Sequence, residues 1–173
     1  MRVLKIALLL AAALIPLAGV YVLNNATLVA IWFTDTGGFR TGEALPPISG
    51  EEVGGGTIDT AQYRGTKFVA MIAKIDCESC KSSYPVLQKW SELYPDTPLV
   101  MIGVGGKEAY GEVKRELRFP FPLLAADRAA QDLLRIKITP VFYAVDEQGT
   151  VIERMNGYRV KDFQKFMRRV EET

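Results

Sequence analysis

The sequence predicts an α/β domain with a central mixed β-sheet flanked by helices, preceded by one apolar N-terminal helix. Three observations carry this reading. Three short apolar runs, Phe68 to Ile75 (interrupted only by Lys74), Leu99 to Val104 and Val141 to Val145, suit strands buried on both faces. Segments with helical apolar spacing alternate with these runs. Glu147-Gln148-Gly149 makes a tight turn from the third run into Val151 to Met155, which predicts an antiparallel hairpin. Parallel crossovers followed by a hairpin give a mixed sheet covered by helices on both faces.

The chain opens on Arg2 and Lys5 and then runs from Ile6 to Thr34 without a charged residue. Its core, Ile6 to Leu23, is interrupted only by Pro16, Gly19 and Tyr21. A cleaved signal peptide and an uncleaved anchor compete for this segment. An apolar stretch of roughly 18 residues is long for a signal peptide and long enough to span a bilayer. No small-x-small cleavage site is convincing, since Gly19 pairs with Leu17 and Ala26 with Asn24, and there is no lipobox cysteine. Residues 1–34 are therefore expected to be a retained membrane anchor. Arg2 and Lys5 would stay in the cytoplasm, Trp32 and Phe33 would sit at the far interface, and the rest of the chain would lie outside. Disulfide exchange is routine in that compartment.

Residues 35–46, with Asp35-Thr36-Gly37-Gly38 and Leu45-Pro46-Pro47, read as a linker into a domain spanning 47–173. Glu51 to Gly56 reads as a turn, and Thr57-Ile58-Asp59 as a short edge strand. Arg64-Gly65-Thr66-Lys67 turns the chain into the first core strand. From Ser79 to Leu93, Tyr84, Leu87, Trp90 and Leu93 recur at three-residue spacing and predict a helix, with Pro85 as a kink. Tyr94-Pro95-Asp96-Thr97-Pro98 ends it. Ala109 to Leu117 reads as a surface helix, Phe121 to Leu124 as a short strand and Ala129 to Leu134 as a short helix. Val160 to Val170 predicts an amphipathic helix with Phe163, Phe166 and Val170 inward. Trp90, Phe142, Tyr143, Phe163 and Phe166 are expected in the core.

Composition narrows the chemistry. The 173 residues carry a net charge of +1, which points to neither nucleic acid nor a strongly acidic partner. There is no histidine, which removes Ser-His-Asp and Cys-His catalysis and His-ligated haem. The two cysteines form one Cys77-Glu78-Ser79-Cys80 motif. A C-x-x-C pair can close a small disulfide and reopen it by exchange with another protein's thiols. Half a zinc site or two buried neighbours are the alternatives. A structural zinc usually needs four Cys or His ligands, which this chain cannot supply without carboxylates.

A strand, then C-x-x-C at the start of a helix containing Pro85, then Ile138-Thr139-Pro140-Val141 before a core strand, resembles the thioredoxin superfamily. Gly157 resembles that family's glycine near the active-site surface. More narrowly, the chain resembles the membrane-anchored TlpA/ResA-like thiol-disulfide oxidoreductases. Tyr63-Arg64-Gly65-Thr66-Lys67, Cys77-Glu78-Ser79-Cys80-Lys81, Gly103 to Leu124 and Val145-Asp146-Glu147-Gln148-Gly149-Thr150-Val151 carry that likeness over about residues 44 to 171. Asp76 stands where the family usually has Trp, and Met71 where thioredoxin has a buried acid.

The resemblance implies a redox-active Cys77–Cys80 disulfide and no other cofactor or metal. Cys77, at the helix N-terminus, would be the nucleophile, its thiolate favoured by the helix dipole. Cys80, one turn in, would resolve the mixed disulfide. Pro140 would be cis, and with Thr139 would support an extended client segment. Glu78 would tune thiol ionisation or touch a partner, or else is a first-turn acid favoured by the dipole. Pro85 and Gly157 would be structural. The expected protein is a monomeric protein-disulfide reductase in the bacterial periplasm or on the outer face of the cytoplasmic membrane. Residues 6–23 would hold the membrane, and a membrane thiol donor would supply electrons. Its partner would be a client protein with cysteine thiols or a disulfide, possible in cytochrome c maturation. An oxidant or isomerase, and a non-redox binding module or chaperone, are the competing functions.

Overall fold

Seven strands form one sheet in the computed structural model, which describes residues 2–24 and 35–173. The strands are β1 (Ser49–Glu52), β2 (Thr57–Asp59), β3 (Phe68–Lys74), β4 (Leu99–Val104), β5 (Leu123–Ala126), β6 (Val141–Val145) and β7 (Val151–Asn156). They lie in the order β2-β1-β5-β4-β3-β6-β7. The inner β5, β4 and β3 are mutually parallel, and every other pairing is antiparallel. Among the described residues the α-helices are α1 (Arg2–Asn24), α2 (Glu78–Leu93), α3 (Lys107–Leu117), α4 (Arg128–Leu134) and α5 (Val160–Glu172).

The chain divides into two units, Met1–Thr36 and Gly37–Thr173. In the first, α1 contains Pro16. Among the described residues no helix is long and apolar enough to cross a membrane. The side chains of 1–11 and 13, which carry much of the apolar run, lie outside the described residues, as do 25–34 with Trp32 and Phe33. The transmembrane element of the predicted fold class is thus not found in the described structure.

The second unit begins ten residues before the expected domain start. Phe39 and Leu45, placed in the expected linker, are buried, and Gly37 and Ala44 form bridges to Ile136 and Thr150. Sequence missed this because isolated apolar residues among Gly, Thr and Pro show no period to read. It missed β1 for the same reason: Ser49-Gly50-Glu51-Glu52 has no apolar alternation, yet it joins β2 to the edge of β5. Glu51 and Glu52, expected in a turn, are therefore strand residues. The short strand expected at Phe121 to Leu124 is shifted to Leu123–Ala126, where it pairs with β4.

Strand β3 shows how the core is assembled. Successive residues face opposite sides of a strand. Val69, Met71 and Ala73 enter one core with Leu87 and Trp90 of α2 and Phe163 and Phe166 of α5. Phe68, Ala70 and Ile72 enter the other with Ala130 and Leu134 of α4 and with Phe39 and Leu45. The five aromatic residues expected in the core are all buried.

Buried tyrosines give this core an alkaline limit. Burial pushes the Tyr84 hydroxyl up to about 12 from its ordinary 10.0, and it also raises Tyr110 and Tyr143. The unfolded chain releases these protons first, so folding stability is full below pH 10.0 and falls as the pH climbs towards about 12. Urea midpoints should drop on the alkaline side of the unfolded tyrosine pKa, less so in Tyr84→Phe. An unchanged midpoint in the parent chain would refute this.

Candidate active site

The cysteine pair stands where β3 hands over to α2, at the carboxyl ends of the parallel strands. Cys77 is the N-cap of α2, with extended backbone at φ −92 and ψ 103. Its carbonyl accepts the N–H groups of Cys80 at 3.0 Å and Lys81 at 3.1 Å. Its Sγ also accepts the Cys80 N–H, at 3.1 Å. Position therefore supplies both a hydrogen-bond donor and the positive end of the helix dipole, and both favour a thiolate.

Cys77 and Cys80 are joined by a disulfide, with Cα atoms 5.2 Å apart. Cys77 is half-buried, while Cys80 is 0% exposed, so only Cys77 offers its sulfur to another protein. Beneath Cys80, the Ser83 hydroxyl is fully buried and donates to the Cys80 carbonyl at 2.7 Å. Its oxygen also lies 3.9 Å from the Met71 sulfur. A fully buried thioether thus lies beside Ser83, and unlike a carboxylate it does not ionise to take up a proton.

Across from Cys77 stands the loop between α4 and β6. The Thr139–Pro140 peptide bond is cis, Pro140 is buried and Thr139 is half-buried. The Thr139 carbonyl is 3.5 Å from Cys77 Sγ, within reach of the S–H when the pair is a dithiol. Such a bond favours the neutral thiol and opposes the Cys80 N–H. The Gly157 N–H donates to the Pro140 carbonyl at 2.7 Å, so Gly157 secures this loop from the end of β7.

The remaining site residues separate. Glu78 is turned to Lys81, with a 2.8 Å ion pair whose side chains are 85% and 48% exposed. An exposed pair of this kind contributes at most about 1 kcal/mol. Asp76 is exposed, and Pro85 lies inside α2. Ser83 was not singled out by sequence; one signal was a hydroxyl on the same helix face as Cys80 and Leu87. Tyr110 was also missed: its hydroxyl donates to the Ala73 carbonyl at 2.8 Å, just before the cysteine loop. Among the described residues no group of three or more His, Cys, Asp or Glu could hold a metal ion.

No protein-family model and no curated protein matches this chain. Solved structures do match. The thioredoxin domain of a thiol-disulfide oxidoreductase from Bacteroides vulgatus superposes with a TM-score of 0.68 at 16% identity, covering 76% of this chain and 97% of that one. A thioredoxin family thiol:disulfide interchange protein from Chlorobium tepidum gives 0.66 at 19% identity, with 76% and 97% covered. The fold is thioredoxin-like. A secreted disulfide oxidoreductase of Mycobacterium tuberculosis, homologous to Escherichia coli DsbE, gives 0.63 at 19% identity, with 73% and 96% covered. The thioredoxin-like domain thus accounts for nearly the whole of each of these neighbours. It presents one reachable sulfur, one buried sulfur and a carbonyl beside the reachable one.

Proposed function

We propose that this chain is a membrane-anchored, extracytoplasmic protein thiol-disulfide oxidoreductase acting as a reductant. The observation that carries the proposal is the asymmetry of the dithiol. Cys77 is half-exposed at a helix N-terminus, and its only covalent partner is the fully buried Cys80.

In the reduced chain, the Cys77 thiolate attacks one sulfur of a client disulfide. A Cys77–client bond forms, the client S–S bond breaks, and the leaving sulfur takes a proton from water. Cys80 then gives its proton to solvent and attacks Cys77 Sγ. The Cys77–Cys80 bond closes and the second client sulfur departs. Two electrons have passed to the client, and a membrane thiol donor restores the dithiol. Pro140 and Thr139 flank the sulfur on the side where an extended client segment would lie.

The names of the solved neighbours, one of them a secreted protein, support redox exchange outside the cytoplasm. The apolar leader over residues 6–23 supports a membrane tether. The proposed client is an assembly intermediate, such as an apocytochrome whose haem-binding cysteines must stay reduced. The protein acts as a monomer. The absence of any histidine between the cysteines supports a reductant over an oxidant or isomerase.

The test is the reduction potential of the full chain, equilibrated in glutathione or dithiothreitol buffers with Cys77→Ser as control. A value around −270 mV is expected. A value near −120 mV would make the chain an oxidant. No reversible disulfide would make it a binding module.

A further inference from the structure

Residues 37–39 are held by a set of contacts that the proposed exchange reaction does not use. Gly37 bridges Ile136, and the Gly38 N–H donates to the Arg135 carbonyl at 3.0 Å. The Phe39 N–H donates to the Tyr143 hydroxyl at 3.0 Å. Arg154 of β7 donates to the Gly37 carbonyl at 2.8 Å and the Phe39 carbonyl at 3.0 Å, with its guanidinium 5.7 Å from the Tyr143 ring centre. Arg135 lies 5.3 Å over the Phe39 ring. Gly37 and Gly38 have positive φ of 65 and 72, and a Cβ on Gly38 would collide with the Tyr143 hydroxyl.

Both ends of this clamp lead to the sulfur. Residues 135–136, under the strap, continue through 137–138 to Thr139, whose carbonyl is 3.5 Å from Cys77 Sγ. Arg154 also donates to the Asn156 side chain at 3.0 Å, and the next residue is Gly157, whose N–H holds the Pro140 carbonyl at 2.7 Å. The strap therefore ties together the segment entering the Thr139–Pro140 loop and the strand that secures its exit. Charge-assisted bonds from one guanidinium to two carbonyls are stronger than neutral ones and directional.

We propose that the Gly37–Phe39 strap, gripped by Arg154 and Tyr143, is a positioning device that sets the Thr139 carbonyl against Cys77. This rests on Cys77 being the exchange nucleophile. The carbonyl accepts the Cys77 S–H and so stabilises the neutral thiol, against the Cys80 N–H, which stabilises the thiolate. Asp76, Glu78, Lys74 and Lys81 surround the same sulfur in sequence but make no contact with the strap in the bonds above. Releasing the strap loosens the Thr139 carbonyl, and the thiol becomes more acidic.

The experiment is the pH profile of Cys77 alkylation by iodoacetamide in the reduced full chain carrying Cys80→Ser. Arg154→Gln and Gly38→Ala are compared with that parent, separately and together. Each single variant should lower the Cys77 pKa by about half a unit, roughly a threefold gain in thiolate below the pKa. The pair should add little more, because both release one clamp. A strap that only stabilises the fold would lower the melting temperature and leave the profile unchanged, which overturns the proposal. A shift in Arg154→Gln alone also overturns it. Should Arg154→Gln fail to fold, Gly38→Ala, whose Cβ pushes the strap off Tyr143 and Ile136, gives the same reading. Thiol titration needs neither client nor electron donor, so it remains readable if the chain proves not to be a reductant.

Discussion

Cys80→Ser should accumulate a covalent complex with a disulfide-bearing client, while Cys77→Ser should form none. The reason is geometric. Cys80 is 0% exposed on the inner face of α2, so no client sulfur can reach it, whereas Cys77 is half-buried at the helix start. Without Cys80 the mixed disulfide has no internal thiol to resolve it, and release waits on an external one. Without Cys77 there is no reachable nucleophile, and turnover should fall on the order of a thousandfold or more. Non-reducing gels of the reduced chain with an oxidised model client, followed by mass spectrometry of the adduct, give the readout. An adduct on Cys80 in Cys77→Ser, at a rate comparable to the parent, would reverse the assignment of roles.

Gly103→Ala should be among the most destabilising single changes in the domain. Gly103 lies in β4 with β3 on one side and β5 on the other, paired with Ala73 and Ala125. A Cβ there would stand 2.5 Å from Cε2 of Tyr110, whose ring is fully buried. Tyr110 cannot move aside without giving up its bond to the Ala73 carbonyl at 2.8 Å. Overpacking of this kind, with a buried carbonyl left unpaired, costs about 3 kcal/mol. Urea denaturation measures the loss, and Gly103→Ala/Tyr110→Phe should not restore it because the ring remains. Alanine tolerated within about 0.5 kcal/mol would mean the ring has room to withdraw. Ala73 is four residues before Cys77, so the same change should also disturb the cysteine loop.

Much of this protein was legible in its sequence because the relevant physics is local. The runs at Phe68, Leu99 and Val141 declared the central strands, since a strand buried on both faces reads as a near-continuous apolar run. The hairpin at Gln148-Gly149 and the amphipathic pattern of α5 were equally readable. Cys77 and Cys80 were singled out by spacing, and Thr139 and Pro140 by resemblance. What escaped lacked a period. Strand β1 is Ser-Gly-Glu-Glu, and its partner in β5, with Glu51 opposite Ala125, is far away in sequence. Phe39 and Leu45 sit in a segment whose composition reads as linker, yet they cover the second core.

By itself, then, the sequence determined the α/β class, the helix that carries the cysteines, and a closely spaced cysteine pair in a chain without histidine. Those follow from hydrophobic period and from which side chains exist. Only the tertiary structure decided that Glu78 turns to Lys81 rather than to the thiol, and that a carbonyl from 62 residues away stands beside Cys77. The same holds for the strap at residues 37–39, whose partners are backbone carbonyls and a distant arginine. Backbone groups are the same at every position of a chain. Their encounters depend on how strands are ordered and registered, and no residue pattern near Cys77 records that.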